Sequence, residues 1–186
     1  MNAEMPQEKI QGYLSLAGGE RLNLLAPEPS KMKIKGIASA LSKICRFSGQ
    51  ISEFYSVAQH SVFVSQLVPE EYALIGLLHD ATEAYTADMP KPIKQLMPEY
   101  EVLEDRMYKA LATKFTLPPV IPEVVHIADR IAVITEARDL QNGDNWKTWY
   151  PNLLPHPAHV VPVDSATAEH MFLHRYHQLT GIHYYA

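Results

Sequence analysis

The sequence feature that most constrains the fold is a six-residue apolar run followed directly by a histidine and an aspartate. Ala73–Leu78 is apolar on nearly every side of a helix, which predicts a central, buried helix. His79 and Asp80 extend this run and carry an imidazole and a carboxylate into apolar surroundings. Burying both groups costs free energy unless a charged partner such as a metal ion engages them. The alternative is an ordinary buried histidine that is hydrogen-bonded to a neighbouring acid, because the dipeptide alone is unspecific.

Composition favours a single soluble, intracellular domain. The chain has 186 residues, 47% of them hydrophobic, which is enough to bury a substantial core. Its net charge of −5 argues against a dedicated binder of duplex DNA, which needs a basic surface. The single cysteine, Cys45, has no partner for an intrachain disulfide. No signal peptide or apolar stretch of about 18 residues is seen, so we expect no membrane partner.

The patterns along the chain predict an all-α fold with a small N-terminal hairpin or extended arm. Glycines and prolines break the first 35 residues, and two short apolar fragments, 12–16 and 21–25, suit strands. From residue 37 onward the apolar spacing is helical. The predicted helices cover about 37–49, 55–67, 69–78, 99–115, 122–140 and 165–179. In the helix at 99–115 the residues expected to face inward are Val102, Leu103, Met107, Ala110 and Leu111.

Two connections separate these helices. Prolines 90 and 92 predict a loop after residue 88, because each lacks an amide donor and restricts the residue before it. A proline-rich stretch before the last helix predicts a long connection or lid. We therefore divide the single domain 1–186 into an arm at 1–35, a helical core at 37–140, and a connection with the C-terminal helix at 141–186.

Two further residues strengthen the hypothesis of a metal site. His60 and Asp129 each have apolar residues three or four positions away, so both should face inward from their helices. Either residue alone could simply be satisfied by a hydrogen bond. Together with His79 and Asp80, they give two imidazoles and two carboxylates on three helices. That set suits Zn²⁺, Mn²⁺, Fe²⁺, Co²⁺ or Ni²⁺ better than Ca²⁺.

Spare acids and bases occur near these ligands. Glu83 follows His79 by one helical turn and Asp88 lies in the next loop, where either can serve as general acid or base or hold a second cation such as Mg²⁺. The alternative is that both are surface acids. Arg46, Lys91 and Lys94 form a candidate phosphate-binding set, although each alone is typical of a solvated charge.

The combination of these residues resembles the HD-domain phosphohydrolase superfamily. It is most similar to the branch of bacterial 5′-deoxynucleotidases and phage dATP triphosphohydrolases. Three segments carry the resemblance, and with Asp129 they span over half of the chain: Cys45-Arg46-Phe47, Tyr55-Ser56-Val57-Ala58-Gln59-His60-Ser61, and residues 79–94 from His79-Asp80-Ala81-Thr82-Glu83 to Asp88-Met89-Pro90-Lys91-Pro92-Ile93-Lys94.

The resemblance implies a helical HD-domain bundle and a deoxynucleotide as substrate. His60, His79, Asp80 and Asp129 would bind one divalent transition metal. Glu83 and Asp88 would serve the attacking water, the substrate or a second metal. Arg46 and Lys94 would contact phosphate, with Lys91 as a further candidate. Some members carry tryptophan where this chain has Phe47, which leaves the preference for base and sugar open.

The resemblance also implies a cytoplasmic homo-oligomer in a bacterium or a phage-infected host. The sequence does not separate a monophosphate from a triphosphate substrate. An HD phosphodiesterase or an alarmone hydrolase is an alternative within enzymes, and a non-catalytic nucleotide-binding regulatory module is an alternative outside them.

Two other groups of residues have open roles. Trp146 and Trp149 either line the nucleotide pocket or pack within the connection, and we favour packing. His170, His174 and His177 either form a second metal face or, as the spacing more simply indicates, a helix surface or subunit contact.

Overall fold

The computed structural model describes residues 12–183 and is mostly helical, with one small hairpin near its start. The predicted helical class and the predicted hairpin are therefore confirmed. The first eleven residues of the predicted arm lie outside the described residues. Within 12–183, no helix is both long and apolar enough to cross a bilayer.

The hairpin joins strands β1 (Tyr13–Ser15) and β2 (Arg21–Asn23) in antiparallel register, with Leu14 opposite Leu22. Leu22 is fully buried and anchors the hairpin to the helical core. Gly19 has a φ of 80° in the connecting turn, a conformation that glycine adopts without a steric penalty. Both strands fall inside the predicted fragments.

Eight α-helices follow the hairpin in the described chain. Their bounds are α1 Ile34–Leu41, α2 Val57–Leu67, α3 Ala73–Leu78, α4 Glu83–Thr86, α5 Lys91–Lys94, α6 Pro98–Phe115, α7 Glu123–Leu140 and α8 Ser165–Thr180. Short 3₁₀ turns occur at Pro29–Lys31, Arg46–Gly49, Glu70–Tyr72 and Asn145–Thr148.

Three predictions about these helices need correction. The first helix ends at Leu41, well before Gly49, and Arg46–Gly49 is a separate 3₁₀ turn. The predicted loop after residue 88 contains the one-turn helix α5, because proline is tolerated in the first turn of a helix. Val102 was expected to face the core but is 58% exposed on α6, whereas Met107, Ala110 and Leu111 are buried.

Helices α2 and α3 lie at the centre of the fold. The main core packs α2 and α3 against α1, α6 and α8, and a smaller apolar cluster joins them to α7. The two central helices approach closely at Gly76. A Cβ at this position would lie 3.2 Å from the Ser65 Cα and 3.1 Å from the Val68 Cγ2. The residue after α3 is therefore held close to α2, which carries His60.

The connection between α7 and α8 is hydrogen-bonded to the helical core. Asp139 accepts a bond from the Val160 amide at 2.8 Å, and Arg138 donates to the His156 and Ala158 carbonyls at 2.8 and 2.9 Å. Burial alone would raise the pKa of Asp139. Bonds from Arg138, Val160 and His159 outweigh burial and hold this pKa at about 2.

We expect Asp139→Asn to lower the free energy of unfolding at pH 7 by about 1 kcal/mol, because the charged acceptor is lost. The Asp139 pKa is lowered by folding, so its contribution is complete above the unfolded value of about 3.9 and is lost as the pH falls toward 2. Urea denaturation at pH 7 and pH 3 measures the difference. Asp144→Asn removes an exposed carboxylate from the same connection and should change little. Equal effects of the two variants would contradict the assignment.

Candidate metal centre

His60 lies near the N-terminus of α2 and is completely buried. Ser56 begins the helix by accepting a hydrogen bond from the Gln59 amide, which sets the direction of the first turn. The His60 Nδ1 donates to the Glu136 Oε1 at 2.6 Å. Because a carboxylate accepts this bond, the proton sits on Nδ1 and Nε2 is left to face the cavity.

His79 directly follows the last residue of α3. Its Nδ1 donates to the Gly76 carbonyl at 2.8 Å, so its Nε2 also faces the cavity. The two imidazole centroids are 5.3 Å apart. Within the described chain, neither Nε2 has a partner in hydrogen-bond geometry, although both atoms are buried. Two buried nitrogens without such partners are what a metal-binding pair of histidines would present.

Asp80 and Asp129 complete the cluster. The Asp80 Oδ2 lies 3.4 Å from the His60 Nε2 and 3.3 Å from the His79 Nε2. The Asp129 Oδ1 lies 3.2 and 3.9 Å from the same two nitrogens. One ligand atom each from His60, His79 and Asp129 falls within 4.8 Å of the others. The structure thus brings together all four residues that the sequence singled out as ligands.

The electrostatics of the cluster favour a cation at its centre. Burial and the charge of Arg46 would lower the pKa of His60, but nearby carboxylates outweigh them and raise it well above its usual value. Burial also opposes the charged form of His79, yet Asp80 and Asp129 raise its pKa to about 9. The raised pKa values mean that a proton and a metal ion would compete for each Nε2. The site stabilises positive charge at the point where a metal would bind.

Burial would raise the pKa of Asp80 and of Asp129. The two histidines outweigh burial in both cases, so the pKa of each carboxyl is lowered. Both carboxylates are therefore ionised at neutral pH, which is the form that binds a metal.

Arg46 is buried next to this cluster. Its guanidinium lies 3.7 Å from the Asp80 Oδ2, 3.5 Å from the Asp88 Oδ2 and 3.5 Å from the Glu136 Oε2. These distances exceed those of tight bidentate pairs, and within residues 12–183 its Nε has no hydrogen-bond partner. Arg46 thus balances the acids of the site and keeps donor capacity for an anionic ligand.

The two predicted catalytic acids lie beside the candidate metal ligands. Glu83 begins α4 and is buried, and its Oε2 lacks a hydrogen-bond partner in the described structure. Burial, together with the charges of Asp80 and Asp88, raises the pKa of Glu83 well above its usual value. Burial also raises the pKa of Asp88, against the opposing effect of Arg46. Neither residue is an ordinary surface acid.

Of the other residues predicted to contact the substrate, only some lie close to the cluster. Lys94 pairs with the Glu104 Oε1 at 2.7 Å, while Lys91 is exposed and, in the part of the chain described, forms no ion pair with the cluster. Phe47 adjoins Arg46, whose guanidinium carbon is 5.5 Å from the phenyl centroid. Trp149 packs near Phe47 at a centroid distance of 6.4 Å. One face of the connection therefore lies close to the site.

The C-terminal histidines do not form a comparable cluster. His170 and His174 stack at 6.2 Å, and His177 adjoins His183 at 4.3 Å. Among residues 12–183, the group of three or more suitable ligand residues close enough for one ion is His60, His79 and Asp129. The positions of the C-terminal histidines therefore do not favour a second metal face.

The sequence did not single out Glu136, which is completely buried and contacts both His60 and Arg46. Tyr55 lies beside it, and burial together with the Glu136 charge raises the Tyr55 pKa well above its usual value. A signal was present: Glu136 follows Asp129 by seven residues, which places both on one face of α7. Glu136 thus orients the imidazole of His60 through its Nδ1, on the side of the ring opposite the cavity.

These features define a mostly helical protein with a cluster of two buried histidines and two half-buried aspartates that could hold a metal ion. No model of a known protein family matches the chain. The chain is 45% identical over 153 residues to the uncharacterized protein YfdR of Escherichia coli (strain K12), an alignment that covers 80% of this chain and 85% of that protein. It is 36% identical over 138 residues to the uncharacterized protein RCAP_rcc00048 of Rhodobacter capsulatus, covering 69% and 70% of the two chains. The chain therefore belongs to the family of these bacterial proteins.

Proposed function

We propose that the protein is a divalent-metal-dependent phosphohydrolase of the HD-domain type that acts on deoxynucleoside phosphates. The observation that carries the proposal is the convergence of His60, His79, Asp80 and Asp129. Two buried Nε2 atoms in this cluster lack a hydrogen-bond partner within the described chain, and each has two carboxylate oxygens within 4 Å. The mixed nitrogen and oxygen set fits a divalent transition metal.

The four residues of the cluster would hold the metal. Glu136 and the Gly76 carbonyl fix the two imidazoles through their Nδ1 atoms, so each Nε2 is already oriented. When bound, a divalent cation lowers the pKa of a water molecule and polarises a phosphoryl oxygen.

Side chains of the protein would stabilise the charge on the phosphoryl group and activate the water. Arg46 offsets negative charge on the transferring phosphoryl group from a buried position, where its charge is weakly screened. Glu83 orients the attacking water and, in its ionised form, accepts its proton, because its Oε2 is unpaired within the described residues. Its raised pKa makes the ionised carboxylate a stronger base. Asp88 lies 3.5 Å from the Arg46 Nη1 and helps to hold the guanidinium in place.

Phe47 and Trp149 would provide an aromatic wall for the base or sugar. Trp149 is partly exposed, and its indole lies near the phenyl ring of the residue that follows Arg46. An aromatic surface next to a buried cation matches a ligand that joins a planar ring to a phosphate.

Product analysis with a panel of substrates tests the proposal. Purified protein is incubated with Co²⁺, Mn²⁺, Zn²⁺ or Mg²⁺ and all four deoxynucleoside monophosphates and triphosphates, and released phosphate and triphosphate are measured. We expect turnover with at least one deoxynucleotide and none after chelation. Cyclic nucleotides and alarmones form a second arm of the panel, since turnover confined to them would indicate a phosphodiesterase or an alarmone hydrolase. Tight nucleotide binding without turnover would contradict the enzyme and indicate a regulatory module.

A further inference from the structure

The backbone of Ala87, just before Asp88, adopts a conformation that is unfavourable for alanine. Its φ is 67° and its ψ is 164°, a region that almost exclusively glycine occupies. A side chain with a Cβ remains there only if surrounding contacts compensate for the strain. Since the next residue is Asp88, this backbone conformation determines where that carboxylate points.

Tyr100 supplies the compensating contacts. Its hydroxyl oxygen lies 3.0 Å from the Thr86 carbonyl oxygen and 2.7 Å from the Ala87 carbonyl oxygen, so it donates into the turn that precedes Asp88. Tyr100 is 8% exposed and lies in the first turn of α6. Burial raises the pKa of Tyr100, so the hydroxyl keeps its proton at neutral pH.

The ring of Tyr100 also lies beside the lysine of the site. The Lys94 Nζ is 5.5 Å from the ring centroid and 2.7 Å from the Glu104 Oε1. Glu104 follows Tyr100 by four residues, so both project from one face of α6. A single aromatic residue thus contacts the backbone that carries Asp88 and the side chain of Lys94.

We propose that Tyr100 is a positioning residue that holds the strained Ala87 backbone and thereby directs Asp88 toward Arg46. The inference rests on the proposed function, because it assigns Tyr100 a role in the turnover attributed to that site. The Asp88 Oδ2 lies 3.5 Å from the Arg46 guanidinium, and a shift of the Ala87 backbone would move it away.

The test compares Tyr100→Phe with Tyr100→Phe/Ala87→Gly. We expect loss of the hydroxyl to lower kcat by about 10- to 100-fold, because misplacing a catalytic group by about 1 Å is sufficient for such a loss. Glycine adopts the required conformation without strain, so the double variant should recover most of the lost kcat. Ala87→Gly alone should have nearly normal activity.

Tyr108→Phe is the matched control. Tyr108 lies on the same helix, is also 8% exposed, and donates to the Pro118 carbonyl at 2.9 Å, away from the site. An equal loss of kcat in Tyr100→Phe and Tyr108→Phe would overturn the inference. So would failure of glycine at position 87 to restore kcat.

Hydrogen exchange separates failure of this inference from failure of the proposed function. We expect faster amide exchange across residues 83–88 in Tyr100→Phe than in the unaltered protein or in Tyr108→Phe, and slower exchange again in the double variant. This measurement does not depend on turnover. If the unaltered protein hydrolyses no nucleotide, the proposed function fails, while unchanged exchange in Tyr100→Phe would overturn the positioning role itself.

Discussion

Replacing Asp80 with alanine is expected to abolish turnover and to weaken binding of a divalent cation by at least about 100-fold. The reason is geometric, since one Asp80 oxygen lies 3.3 and 3.4 Å from the inward-facing nitrogens of both histidines. Alanine leaves the two imidazoles with one carboxylate instead of two. Calorimetric titration with Co²⁺ or Mn²⁺ measures the loss of affinity, and the nucleotide assay measures turnover.

The control for Asp80 is Asp105→Ala on α6. The Asp105 side chain is 61% exposed and pairs with Lys109 four residues later on the helix surface. Removing this exposed pair should leave metal affinity unchanged and alter stability by no more than about 0.5 kcal/mol. Retention of metal binding and turnover in Asp80→Ala would remove Asp80 from the ligand set.

Replacing Glu136 with glutamine is expected to reduce metal affinity by about 10- to 100-fold, although Glu136 is not itself a proposed ligand. Glutamine can keep a hydrogen bond to the His60 Nδ1 but carries no charge to support that imidazole. It also leaves the buried Arg46 with fewer compensating charges, so the free energy of unfolding should fall by about 3 kcal/mol. Urea denaturation and metal titration measure the two effects separately.

Glu123→Gln is the matched control for this variant. Glu123 begins the same helix, α7, but its side chain is 66% exposed in an ion pair with Arg130. The same chemical change at this site should shift stability by no more than about 0.5 kcal/mol and leave metal affinity intact. If both glutamine variants behave alike, Glu136 has no special part in orienting His60.

Much of the helical framework follows from local pattern. Helix α7 was predicted at 122–140 and occurs at Glu123–Leu140, because its apolar spacing and the preceding proline act over neighbouring residues. The exposure of Val102 could not be predicted in this way. An apolar residue on the outer face of α6 satisfies the same periodicity, and only the packing of other helices decides which face is covered.

The convergence of the four candidate ligands was predictable because each combines a metal-binding side chain with apolar neighbours at helical spacing. The contacts that hold the neighbouring residues in place could not be predicted. The pairing of Lys94 with Glu104 depends on how α5 turns back against α6, which no short-range pattern specifies. The positive φ of Ala87 could not be predicted either, because sequence reasoning expects glycine at such a position.

Gly76, where α2 and α3 pack most closely, also affects the position of His79, which lies one turn further along the chain. Its bare Cα lets α3 approach the backbone of α2 at Ser65, and His79, three residues on, donates back to the Gly76 carbonyl. The distance between the two imidazoles thus depends on how closely the backbones of α2 and α3 pack, because residue 76 has no side chain to separate them. We expect a methyl group at residue 76 to push α3 away from α2 and to lengthen the 5.3 Å separation of the two imidazole centroids. In the proposed metal centre, the range of ionic radii that the site accepts would then depend on residue 76, which offers no ligand atom.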